Sequence, residues 1–186
     1  MKNFATIAVA VTALALGGCG KKDEPAVQET PGSVAAGAAS DTPVMPINSG
    51  QAFVDAAASS DAFEIESSKL AEAQGSSAKV KSFAAQMVKA HTDSTAKLKT
   101  AASAATPPLT PAPLLNPTQQ QALDALKAKS GAEFDTAYAE AQVDAHQKAL
   151  DMLRAYSASG DVPSLKAFAG ELVPVVTGHL NMAKGL

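Results

Sequence analysis

The stretch Val80-Lys-Ser-Phe-Ala-Ala-Gln-Met-Val-Lys-Ala-His91 sets Val80, Phe83, Met87 and His91 three and four residues apart, and Leu98 continues the row. That spacing marks a helix with one buried face. The row includes an imidazole near the centre of the apolar stripe. An imidazole in a core needs a partner, so the residues that announce the helix also announce a polar site inside it.

Working outward, the chain has three histidines, and the other two repeat the local pattern. Val88-Lys-Ala-His91 is matched by Val143-Asp-Ala-His146 and Val176-Thr-Gly-His179. Each lies in its own helical pattern. Before the quoted stretch, a helix is expected from about Gly50 to Gln74, with Phe53, Ala57, Ser60, Glu64 and Ala71 on one face and Gly75 as its stop. The quoted helix itself is expected from about Ser77 to Ala104. Pro107, Pro108, Pro111, Pro113 and Pro117 make residues 105–117 an extended crossover. Asn116-Pro117 reads as an N-cap followed by proline at the first position of a short helix reaching Lys129. A third long helix is expected from about Ala132 to Ser159, with Phe134, Tyr138, Ala145 and Leu153 on its stripe and His146 at the edge. A fourth is expected from about Pro163 to Lys184, with Leu172, Val175, Val176 and His179 on its stripe and Pro174 inside. The fold class is all-α: a four-helix bundle over residues 50–186 with a short extra helix between its second and third long helices.

Residues 1–18 have the marks of an export signal. Lys2 is followed by an apolar run from Phe4 to Leu16, too short to span a bilayer comfortably. Leu16-Gly17-Gly18-Cys19 then resembles a bacterial lipoprotein signal, which implies lipidation of Cys19 and a stable membrane anchor. Gly20, where enteric inner-membrane lipoproteins carry aspartate, points to the outer membrane, facing the periplasm. Residues 19–49 read as a disordered tether, rich in proline, glycine, serine and alanine. With Cys19 lipidated, no disulfide, cysteine-ligated zinc or thiol nucleophile can be built. Residues 1–18 hold one lysine and no acid, so the chain after them carries a formal charge of −4. No basic patch argues for nucleic acid. No phosphate-binding loop, nucleophile elbow or H-E-x-x-H is present.

The motifs Phe63-Glu64-Ile65-Glu66-x-x-x-Leu70-Ala71, Val80-Lys81-x-Phe83-Ala84-x-x-Met87-Val88-x-x-His91-Thr92, Phe134-Asp135-x-x-Tyr138-x-x-x-Gln142-Val143-x-x-His146 and Leu172-x-Pro174-x-x-x-x-His179-Leu180 together resemble the exported bacterial family called domain of unknown function 4142. The likeness covers about residues 50–186. It implies a ferritin-like bundle and leaves the biochemical role open. One departure is Ala90, where the family usually has an acid.

Ferritin-like di-iron enzymes use Glu-x-x-His pairs. Here Val88, Val143 and Val176 stand three before the histidines, so the bridging carboxylates are missing. The sharper idea is a mononuclear site of His91, His146, His179 and Glu64, suited to zinc, copper, iron or manganese. Counted from the inter-helix turns, the four groups lie within roughly 12 Å of one height. Glu66 falls about 160° round the helix from Glu64 and is expected to be solvated or at a seam. Asp135 reads as a first-turn acid favoured by the helix dipole. Tyr138 and Tyr156 read as core rings with a hydroxyl partner, and Met87, Met152 and Met182 as packing. Three function classes remain: a metal-binding or metal-buffering protein, an envelope or stress-related interaction module with a purely structural histidine core, and an oxidoreductase at a histidine-rich metal.

Overall fold

The computed structural model describes residues 49–186, so the expected lipidation signal at Cys19 and residues 20–48 of the expected tether lie outside the described residues. Five helices follow one another: α1 Gly50–Gln74, α2 Ala78–Ser103, α3 Pro117–Lys127, α4 Gly131–Ser159 and α5 Pro163–Ala183. The four long ones form the expected all-α bundle, with α3 as the short extra helix in the crossover. Among the described residues no helix is long and apolar enough to cross a membrane.

Local chemistry sets the helix ends. Ser49 and Ser77 accept hydrogen bonds from first-turn N–H groups of α1 and α2. Asn116 and Gln119 form a reciprocal capping box on α3, with proline at the first position. Gly75 ends α1 in extended backbone (φ −62°, ψ 148°), not in the left-handed cap that its glycine suggested. Space is the reason for glycine there: a Cβ would sit 2.6 Å from the Ala71 carbonyl oxygen and 3.1 Å from Asp135 Oδ1. Gly131, at φ 61°, is the glycine that uses its conformational freedom, and it forms a single bridge with Gly75.

That bridge sets the topology. The end of α1 meets the start of α4, so the chain must return along the whole bundle between α2 and α4. The proline-rich crossover and α3 make that return, with α3 packed on α1 and α4. Around the bundle the order is α1, α2, α5, α4, and every neighbouring pair is antiparallel. Lys79 at the start of α2 donates to the Gly185 carbonyl beyond α5, which closes the same end.

The interior has two apolar clusters. One holds Phe53, Leu98, Leu153, Tyr156 and Phe168, with Phe53 stacked on Tyr156 at 3.9 Å between ring centroids. The other holds Phe83, Met87, Leu126, Phe134 and Tyr138. Along α1, α2 and α4 the residues between the clusters are polar and buried: Asp61 and Glu64, His91 and Ser94, Gln142 and His146. The functional candidates therefore occupy a polar layer across the middle of the bundle.

Candidate metal centre

Three long helices each send one imidazole into this layer. His91 comes from α2, His146 from α4 and His179 from α5. Their ring centroids are 5.6 Å apart for His91–His146, 5.7 Å for His91–His179 and 5.5 Å for His146–His179. One nitrogen from each ring lies within 4.8 Å of the other two. A point therefore exists no farther than about 2.8 Å from all three, against the 2.0–2.1 Å of a zinc–imidazole bond. Inward movement of less than about 1 Å per ring closes that difference.

The outer nitrogens of two rings are already used. His91 Nδ1 donates to Asp61 Oδ1 at 2.8 Å, and Thr95 Oγ1 donates to the other oxygen of Asp61 at 3.2 Å. His146 Nδ1 donates to the Gln142 carbonyl at 2.8 Å, one turn back on its own helix. With the proton on Nδ1, the neutral ring presents its Nε2 lone pair, which is the form a metal ligand needs. His91 Nε2, His146 Nε2 and His179 Nδ1 are buried and have no hydrogen-bond partner on the protein.

The electrostatics sort the three rings. Burial pushes His146 down to about 3, helped by the charge of His91. Burial and the same neighbour push His179 down to about 4. His91 goes the other way: burial opposes its charge, but the Asp61 hydrogen bond and the carboxylates of Glu64 and Asp61 outweigh it and hold the ring above its usual value. Glu64 is driven up to about 7, first by burial and with His91 opposing. Glu64 Oε1 approaches His146 Nδ1 at 3.6 Å, but burial favours the neutral form of both, so the contact is not a strong ion pair.

The three histidines thus converge, while Glu64 stands outside their group, on the Nδ1 side of His146. It is 1% exposed and neither oxygen has a hydrogen-bond partner. Glu66 is exposed, as its position round α1 requires. Sequence reasoning missed Asp61, the carboxylate that holds His91. The signal was available: Asp61 precedes Glu64 by three residues and shares its helix face. Gln142 Nε2 donates to Ser67 Oγ at 3.2 Å, and Ser68 shares a 2.7 Å hydrogen bond with the Tyr138 hydroxyl. Tyr156 donates to Asp161 at 2.9 Å. Both tyrosines have the hydroxyl partners expected of them.

Four expectations are corrected. His179 is half-buried rather than buried, and Val175 is 44% exposed. The buried row of α5 runs Leu165, Phe168, Leu172, Val176, Leu180, and Val175 lies about 100° off it. Met182 is 41% exposed and packs little. Asp135 is the fifth residue of α4, past the first turn, where Glu133 is the acid. It accepts from Ser76 N at 3.0 Å, Ser77 N at 2.8 Å and Ser76 Oγ at 2.5 Å, and so ties the start of α4 to the α1–α2 turn.

A comparison with curated proteins gives no match. Among solved structures, one described as "CopM in the Cu(II)-bound form" superposes with a TM-score of 0.62 at 16% identity, covering 74% of this chain and 94% of that one. At that identity the likeness speaks for the fold alone. The family model described as "Domain of unknown function (DUF4142)" matches residues 33–186, and the chain belongs to that family.

Proposed function

We propose that this protein binds one transition-metal ion through His91, His146 and His179 and serves to hold or buffer that metal in the bacterial envelope. One observation carries the reading: three imidazoles from three helices place a nitrogen each within 4.8 Å of the others. Leaving one buried polar atom unsatisfied costs about 1–3 kcal/mol, so gathering three such atoms at one point is expensive unless something binds there. Neutral imidazoles suit copper and zinc, and the affinity order among divalent ions favours Cu(II). The Cu(II)-bound protein of similar fold supports that ranking. The residues Leu16-Gly17-Gly18-Cys19 support an anchor at Cys19, with the bundle tethered to the outer membrane and facing the periplasm.

Calorimetric titration of the metal-free protein with Cu(II), and separately with Zn(II), tests the site. One equivalent of Cu(II) is expected to bind, with zinc weaker. His146→Ala is expected to weaken copper at least 100-fold while circular dichroism stays that of the folded bundle. Absence of stoichiometric binding, or binding indifferent to His146→Ala, would leave a hydrogen-bonded structural core as the role of the histidines.

A further inference from the structure

The polar layer is not closed on all sides. A cavity of about 220 Å³ reaches it from the surface, bounded by α1, α2, α4 and α5, and His91 and His179 form part of its wall. His146 is absent from that wall and only 1% exposed. An ion held by the three rings would therefore have a sealed side at His146 and an open side at the cavity. Three protein ligands with a fourth position left open distinguish a site that binds exogenous molecules from a structural one.

The cavity has a definite chemistry. Its body is apolar, built from Met152, Leu153, Phe168, Leu172 and Val176. Its charged side chains are already engaged: Asp61 on His91 and Thr95, Asp93 on Lys89 at 2.7 Å, and Lys97 on Glu171 at 2.5 Å. Neutral imidazoles add no charge of their own, so the Asp61 carboxylate on His91 would offset only part of a divalent ion's charge at the inner end. Several water molecules could fit, each taking about 30 Å³, but apolar walls give them few partners.

We propose that this cavity is a binding site for a small monoanionic organic ligand, a carboxylate with a compact apolar body. Its oxygen fills the open position on the metal and its body lies against Met152, Phe168 and Val176. The inference rests on the metal reading above and adds the ligand class. An apolar body removed from water makes the difference between such a ligand and a bare anion.

The probes are benzoate and acetate, titrated into the Cu(II)-loaded protein while the visible copper band is followed. Benzoate is expected to shift the band with a dissociation constant at least tenfold below that of acetate. Ala90→Leu and Val175→Phe narrow the cavity at partly exposed positions. Both are expected to keep one copper per chain and to lose the tenfold preference. Equal affinity for benzoate and acetate, or a preference untouched by either variant, would overturn the ligand site while the metal site stood. A wild-type protein that takes up no copper would overturn both.

Discussion

Asp61 fixes which nitrogen His91 presents. Its carboxylate accepts the Nδ1 proton at 2.8 Å, so the lone pair of a neutral ring lies on Nε2. Asp61→Asn keeps the size and removes the charge; it is expected to lower copper affinity by about 10–100-fold with the fold intact, measured by competition against a chelator. The same residues set the pH dependence. His146 and His179 stay neutral down to about 3 and about 4, so they offer ligands across the whole mildly acidic range. His91 keeps its proton to above its ordinary 6.5 and must lose it to bind. Copper affinity should therefore rise with pH up to the pKa of His91, about tenfold per unit and with one proton released, and flatten above it. A three-proton dependence between pH 4 and 6 would contradict this assignment. Burial separates two further variants. His146→Lys puts a charge in the sealed side of the layer and should cost about 3 kcal/mol or more in denaturant unfolding. His179→Lys should cost clearly less, because a half-buried lysine can extend its ammonium into the cavity.

At the scale of the helices, periodicity was legible and neighbours were not. The stripe of α2, from Val80 through His91 to Leu98, is buried as its spacing requires. All five helices end within about two residues of where proline, glycine and serine signals place them. Periodicity assigns a face, but it does not say which residue of another helix sits opposite. For that reason the His91–Asp61 pair escaped notice: His91 was on a predicted inner face, and Asp61, three residues before Glu64, was not singled out. Asp135 escaped for the same reason, since its partners lie in a turn 58 and 59 residues earlier. Asp135→Ala should remove the tie between the start of α4 and the α1–α2 turn. The expected cost is about 1 kcal/mol, modest because water can partly replace the carboxylate, and a thermal melt would show it. A melting temperature equal to wild type would mean the turn is held by the Gly75–Gly131 contact alone.

Over the whole molecule, the proline-rich crossover carries much of the topology. Residues 105–117 cannot continue α2, and their length, with α3, lets α4 start beside the end of α1. All neighbouring helices are consequently antiparallel, and this brings His91, His146 and His179 to one height. From sequence alone the depths of these three and Glu64, counted from Gly75 and Gly160, agreed to roughly 12 Å. That count set both turns at one end, whereas the Gly75–Gly131 bridge puts them at opposite ends. The groups meet because Glu64, His91 and His146 each lie near the middle of a helix. The position of Glu64 behind His146 could not be read at all, since it depends on how α1 rotates against α4. An ion bound only by the folded bundle must stabilise it: free Cu(II) at 100 times its dissociation constant should add about 2.7 kcal/mol to unfolding. Cys19→Ser should abolish lipid labelling and leave the precursor unprocessed, and wild-type protein without acyl chains would refute the anchor.

The most direct test of the three-histidine site is a crystal structure of the protein grown with Cu(II), with anomalous data collected at the copper edge. One anomalous peak is expected between α2, α4 and α5, at about 2.0–2.1 Å from a nitrogen of each of His91, His146 and His179. No peak there, or copper held elsewhere while the three rings keep their separations, would contradict it.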